Sequence, residues 1–413
     1  MRYRYIINEP VFIMEPPKGP LAAYVQPFCL WAFEQGYERH SVRRRVTVAA
    51  GFSKWLQGKD ISVGEVSWEH PAQYLRHLSR QGHVHGGNRP SLKQFMEFVR
   101  HQGVITLDQP KLEPTTPVDL CVREFKTYLQ DQRGLVPTTV LQYTSYVRLF
   151  LEKRFGNDPV VLGDIRADDI AGFLQQASSS THFARSKTIA SSLRSFFRFA
   201  RYQGAIARDM AAAVPKVAGW SMSAIPRAIA EDQIPQLLSS IDRSRAIGLR
   251  NFAILLLLAR LGLRSCEIRC LDLDDMDWIS GSLKVRGKGR EAIYPLTQEV
   301  GEAIVAYLRH GRPSSTSRRL FLRNIAPFRG FGCSAAIAGI VHYAIERAGV
   351  QAPTRGCHQF RHGLATQMLR HDSSLQEIGE VLGHRSIQVT KIYAKVDIHA
   401  LRRLALRWPG GAR

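Results

Sequence analysis

Two stretches about a hundred residues apart read as copies of one another, and this repetition limits what the chain can fold into more than any other feature. Residues 91–105 run SLKQFMEFVRHQGVI and residues 192–206 run SLRSFFRFARYQGAI. Eight of the fifteen positions are identical: Ser91/Ser192, Leu92/Leu193, Phe95/Phe196, Phe98/Phe199, Arg100/Arg201, Gln102/Gln203, Gly103/Gly204 and Ile105/Ile206. Upstream, Gly36, Phe52 and Leu75 find counterparts in Gly134, Phe150 and Leu174 at nearly the same offset. Apolar residues at i, i+3 and i+4 closed by glycine mark amphipathic helices. Phenylalanine spacing alone arises by chance in such helices, whereas the shared R-x-Q-G-x-I ending is harder to reach that way. The pattern predicts two helical units of four or five helices each, the first a possible duplicate of the second.

Proline-rich and irregular stretches set the boundaries. Residues 110–117 (PKLEPTTP) hold three prolines, and residues 215–227 (PKVAGWSMSAIPR) lack helical periodicity. With linkers at 111–117 and 215–227, the chain divides into 1–110, 118–214 and 228–413. The last segment changes character. Residues 231–241 and 248–263 have helical periodicity, the second apolar nearly all round and hence buried. Two short alternating runs, 282–287 and 290–296, flank a Gly-Lys-Gly turn and predict a small antiparallel hairpin. From 299 onward the periodicity is helical again. The expected class is mainly α with a small antiparallel β-sheet in the C-terminal domain.

Charge narrows the function. Fifty-seven Lys and Arg against 35 Asp and Glu give +22, and 44 of those cations are arginine, whose planar fork matches phosphate oxygens in pairs. The excess is spread over all three segments, not gathered in a tail, which predicts extended contact with a nucleic-acid backbone. The longest apolar run, Phe252 to Ala259, stops at Arg260; a bilayer span needs about 20 such residues. The N-terminus has prolines and glutamates where a secretory segment would be apolar. We therefore expect a soluble, unexported, cytoplasmic protein with no membrane partner. The six cysteines (Cys29, Cys121, Cys266, Cys270, Cys333, Cys357) form no C-x-x-C pair and no zinc-finger spacing, so no metal or other cofactor is expected.

Phosphodiester chemistry without a metal needs cations on the nonbridging oxygens, an acid for the leaving oxygen and a nucleophile. The C-terminal segment offers each. Arg264 sits at the end of the buried helix, and Glu267, three residues on, shares its helical face and can orient it. Lys288 occupies the hairpin tip between two glycines; it is either a solvated turn lysine or a proton donor brought close to a ligand. His358 and Arg361, at i and i+3, face one way, while His362 and Cys357 read as structural neighbours. His384 follows Gly383 at the end of a helix. Tyr393, nine residues later, is either packing or a nucleophile whose phenolate cations would stabilise.

Taken in order, LGLRSCEI, GKG, H-x-x-R-H and LGH followed by a tyrosine resemble the boxes of the tyrosine recombinase (phage integrase) family, over about 230–400. Residues 118–214 resemble that family's helical, SAM-like core-binding domain. The resemblance implies the DNA breaking-rejoining catalytic fold, with Tyr393 attacking a DNA phosphate to form a 3′-phosphotyrosyl link. It also implies Arg264 and Arg361 on the nonbridging oxygens, Lys288 protonating the 5′-oxygen, His358 accepting a proton and His384 bonding the phosphate. Neither ATP nor metal is implied. The implied partner is double-stranded DNA, held by a homotetramer on two sites, with or without other recombinases. The tail 397–408 would pack into a neighbouring subunit or onto its own domain. After Gly289 the chain runs Arg290-Glu291-Ala292 where the family often has lysine-x-arginine, and Gly363 replaces a small hydroxyl residue. The extra segment 1–110 either lengthens the DNA footprint or contacts partner recombinases. The leading reading is a site-specific strand-exchange enzyme encoded on a bacterial mobile element. Its competitors are an accessory DNA-binding protein with an inactive domain and a type IB topoisomerase.

Overall fold

The structure, a computed structural model, describes residues 16–82, 86–105, 116–180, 183–216, 225–287, 290–384 and 386–396. It falls into two compact units, one made of residues 1–107 and 224–413, the other of 108–223.

The larger unit begins with four helices, α1 (Ala22–Glu34), α2 (Arg39–Gln57), α3 (His70–Arg80) and α4 (Asn88–His101). Their core is aromatic. Phe28 meets Phe95 edge-on at 5.1 Å and Phe98 at 5.6 Å, Trp31 stacks on Phe28, and Phe52 packs on Tyr74 at 5.4 Å. Gly103, with φ +73°, ends the last helix in the left-handed conformation that an L side chain resists.

The smaller unit repeats this plan with α5 (Pro117–Thr127), α6 (Pro137–Phe155), α7 (Ala167–Ser180) and α8 (Phe183–Tyr202), followed by the short α9 (Met210–Ala213). Thr116 caps α5: its hydroxyl accepts from the Asp119 N–H at 3.1 Å, and the Asp119 carboxylate takes the Thr116 N–H in return. Such a box satisfies donors that the first turn leaves open.

The C-terminal part has α10 (Gln233–Ser239), α11 (Ala246–Leu261), α12 (Ser265–Cys270), β1 (Met276–Asp277), β2 (Ser282–Gly287), β3 (Arg290–Pro295) and α13 (Gln298–His310). It finishes with α14 (Ala335–Ala348), α15 (His358–Arg370), α16 (Leu375–Leu382), α17 (Ile387–Thr390) and a 3-10 stretch, Lys391–Val396. As expected from its composition, α11 runs through the core, with Ile254 to Leu258 all out of contact with water. Burying each such side chain contributes about 1.5–3 kcal/mol. The three strands form one antiparallel sheet in the order β1-β2-β3, with Gly287 opposite Arg290 across the expected hairpin. The mainly α architecture with a small sheet is thus the one read from the sequence.

The stretch 311–334 departs from the helical periodicity expected after 299. Its prolines and glycines oppose a helix, and arginines satisfy its carbonyls: Arg312 donates to Ser317 O and Arg319 O, and buried Arg250 donates to Leu322 O at 2.9 Å. This loop carries the seam with the N-terminal helices. The Phe328 N–H donates to Gln35 O at 3.3 Å, and a Cβ on Gly36 would lie 2.1 Å from the Phe328 ring. Among the described residues, no helix is long and apolar enough to cross a membrane.

Candidate active site

Arg361 organises the site. It sits in the first turns of α15, 4% exposed, where two other helices end. Gly262 closes α11 and Gly383 closes α16, both left-handed with φ near +58° and +59°. The guanidinium donates from Nη1 to Gly262 O at 2.8 Å and from Nη2 to Leu382 O. Helix C-termini carry unsatisfied carbonyls and the negative end of the dipole, so one cation serves both. Burial, and then the nearby Arg264, pull the Arg361 pKa down to about 10, which still leaves it charged at neutral pH. Gly262 also permits close packing, since a Cβ there would lie 2.9 Å from Leu364.

Arg264 does not end the buried helix, as the sequence suggested; Gly262 stops α11 two residues earlier and Arg264 becomes the N-cap of α12. Its expected partner is nonetheless Glu267. That carboxylate, 1% exposed, accepts the Arg264 backbone N–H at 2.7 Å and the guanidinium Nη1 at 2.7 Å. A charge-assisted pair this well enclosed holds the arginine in one direction. The hairpin docks on the same carboxylate: a Cβ on Gly287 would stand 2.8 Å from Glu267 Cγ. Lys288 and Gly289 themselves lie outside the described residues, as do Arg385 and the tail 397–408.

Tyr393 lies in the 3-10 stretch, 1% exposed, in a small cluster with Ala365 of α15 and Ile378 and Leu382 of α16. Its hydroxyl meets His362 Nδ1 at 3.0 Å. With Nε2 protonated, the phenol O–H donates to that nitrogen. Burial pushes the Tyr393 pKa up to about 12, opposed by Arg361 and Arg264. His384, just past the Gly383 cap, lies parallel to the Tyr393 ring at 6.5 Å and shares a 2.8 Å hydrogen bond with Thr390. His358 is exposed at the start of α15, its ring 6.4 Å from that of His362.

The structure therefore gathers Arg264, Arg361, His384 and Tyr393 around α15, with His358 at the rim. It also adds a residue that the sequence reading set aside as structural. His362 follows Arg361 directly, and its contact with Tyr393 spans 31 residues of chain. Its pKa is held below the ordinary imidazole value, first by burial and then by His358 and Arg361. The neutral form belongs to the folded state, so the sign is fixed: the stability it contributes is present above about pH 6.5 and is lost as pH falls below that value. Thermal unfolding should show a midpoint dropping between about pH 7 and 5, with the slope reduced in His362→Gln; an identical slope in the variant would contradict this.

Comparison with known proteins follows the same lines. Residues 227–399 match the phage integrase family, and residues 122–204 match the phage integrase N-terminal SAM-like domain. The chain is 46% identical over 410 residues to y4rA of Sinorhizobium fredii (strain NBRC 101917 / NGR234), whose name provisionally ranks it as an integrase/recombinase; 99% of this chain and 100% of that protein are covered. Tyrosine recombinase XerD of Listeria monocytogenes serotype 4b (strain F2365) is 31% identical, over 67% of this chain and 93% of its own. The solved structure of the XerH site-specific recombinase on palindromic difH substrate, post-cleavage, shares the fold with TM-score 0.55 at 20% identity, covering 76% of this chain and 94% of that one. A lambda integrase dimer on a COC′ core site gives 0.52 at 19% identity, over 66% and 94%. The chain belongs to the phage integrase family, and is a tyrosine recombinase, a DNA strand-transferring enzyme.

Proposed function

We propose that this protein exchanges DNA strands at specific sites, with Tyr393 as the nucleophile delivered from within its own chain. One observation carries this reading: the Tyr393 hydroxyl lies 3.0 Å from Nδ1 of His362, the residue next to Arg361, and packs with Leu382, whose carbonyl Arg361 binds, so that Arg361 and Arg264 both act on the phenol. Tyr393 Oη attacks the scissile phosphorus and the bond to the 5′-oxygen breaks, leaving a 3′-phosphotyrosyl link. Arg264 and Arg361 hold the nonbridging oxygens as charge builds on them. Lys288 gives its proton to the departing 5′-oxygen, and His384 bonds the phosphate. The proton from Tyr393 has His362 in direct contact, with His358 one turn away. A 5′-hydroxyl from a second duplex reverses the step, so the chemistry needs neither ATP nor metal.

A phenol that is 1% exposed cannot reach DNA as it stands. Attack requires the short segment from Ser386 to Val396 to turn outward. The substrate is double-stranded DNA, and four copies on two sites complete one exchange. The bacterial relatives support a cytoplasmic enzyme, and the integrase/recombinase among them supports service to a mobile element.

The test is to trap a covalent adduct on a nicked duplex and to map it. A peptide containing Tyr393 joined to a 3′-phosphate is expected. An adduct through another residue, or none on DNA that is demonstrably bound, overturns the assignment.

A further inference from the structure

Neither family match reaches the N-terminal helices, yet these repeat the helical plan and the aromatic core of the SAM-like unit. Phe28, Trp31, Phe95 and Phe98 are arranged as Phe125, Tyr128, Phe196 and Phe199 are. The edge-on contacts are 5.1 and 5.3 Å, and the stacked pairs are tilted by 17° and 18°. The Phe52–Tyr74 contact of 5.4 Å corresponds to Phe150–Phe173 at 5.3 Å. The matching helices α4 and α8 end in the same hydrogen bonds, Gly103 N to Arg100 O and Gly204 N to Arg201 O.

Surface chemistry has nevertheless been exchanged between the copies. In the second copy a concavity is lined by Arg133, Tyr143, Arg194 and Arg198. The matching positions of the first copy are Gln35, Arg45, Lys93 and Glu97. There Lys93 pairs with Glu97, and Arg45 is committed to Ser41, Gln94 and the Tyr37 ring. Gln35 and Gly36 are occupied by the seam with Phe328. In exchange, α2 contains no acidic residue and exposes Arg43 and Lys54 on one face, with Arg44 about a quarter-turn round the helix, where α6 has Leu141, Gln142 and Glu152. Residues 16–105 hold twelve cations against six acids.

We propose that residues 16–105 are a second, re-tasked copy of the core-binding module, seated on the catalytic part through Gly36 and Phe328, and that the cationic face of α2 binds the phosphate backbone of duplex DNA beyond the core contacts. This rests on DNA being the substrate. Phosphate is the ligand class that suits a cationic helix surface without acids, because each neutralised phosphate releases counterions.

The experiment uses the full chain and random-sequence duplexes of increasing length, with affinity followed against salt. The triple variant Arg43→Gln, Arg44→Gln, Lys54→Gln should lose about 2 to 3 units of log–log salt slope and roughly tenfold or more in affinity on long duplexes. On the shortest duplexes it should match the wild type, and affinity should plateau at a shorter length. Arg43→Lys, Arg44→Lys should restore most of the slope. Arg45→Gln, on the same helix but committed internally, should leave the slope unchanged. Unchanged binding at every length overturns the proposal, as does equal loss on the shortest duplexes; altered self-association without altered DNA binding would assign the face to a second copy of this chain instead. Adduct formation on a nicked duplex, measured alongside, is independent: a wild type that forms no adduct sinks the catalytic reading without touching this one.

Discussion

Tyr393→Phe should abolish covalent attachment to DNA and strand exchange while leaving the fold and duplex binding in place. The substitution removes one oxygen from a ring that is otherwise packed among Ala365, Ile378 and Leu382. Its structural cost is the bond to His362, about 1 kcal/mol for a hydrogen bond of this kind. Its chemical cost is the atom that forms the intermediate, and loss of a covalent nucleophile lowers turnover by at least ~10⁴-fold. The measurement is adduct yield on a nicked duplex against binding of an intact one, with circular dichroism confirming the fold. Undiminished recombination in the variant would remove the basis for the proposed mechanism.

Arg361→Lys is expected to be nearly as damaging, and for a reason that charge alone does not capture. The ammonium keeps the positive charge but has no fork with which to reach Gly262 O and Leu382 O together. One helix end is then left unsatisfied, at about 1–3 kcal/mol for a buried acceptor. The phosphate also loses a fixed donor, which on the scale of oxyanion contacts costs about 10²–10³ in rate. Arg361→Ala should add a further loss of stability, because both carbonyls are stranded. Single-turnover cleavage with saturating DNA separates the rate effect from binding, and thermal unfolding reports the structural one. A lysine variant that cleaves at the wild-type rate would show that the arginine serves the fold alone.

Much of this was legible in the chain. The apolar run of α11, the hairpin around Gly287 and the pairing of Arg264 with Glu267 each follow from local pattern, because the partners lie within a few residues. What remained hidden depends on contacts between distant segments. His362 looked like an ordinary helical neighbour, since its partner is brought back by the reversal at Gly383. Arg361 binds main-chain carbonyls, which no side-chain pattern announces. The irregular stretch 311–334 falls inside the segment from 299 onward for which the sequence predicts helix. Its prolines and glycines (Gly311, Pro313, Pro327, Gly330) oppose one, and its carbonyls are taken by Arg312 of the loop itself and by Arg250 of α11. The segment 16–105 was recognisable as a repeat, but the exchange of its surface charge could be seen only once corresponding positions were set side by side.

The enclosed position of Tyr393 bears on how such an enzyme coexists with a chromosome. If Tyr393 is the nucleophile proposed above, its storage in the protein's own interior makes it inert toward the vast excess of ordinary phosphodiesters around it. On the proposed mechanism, accidental nicks are limited by how seldom the eleven-residue segment Ser386–Val396 turns outward, not by how weakly the enzyme holds the wrong sequence. Selectivity in cutting is thereby separated from selectivity in binding, and a protein with this much positive charge can grip DNA almost anywhere without harming it.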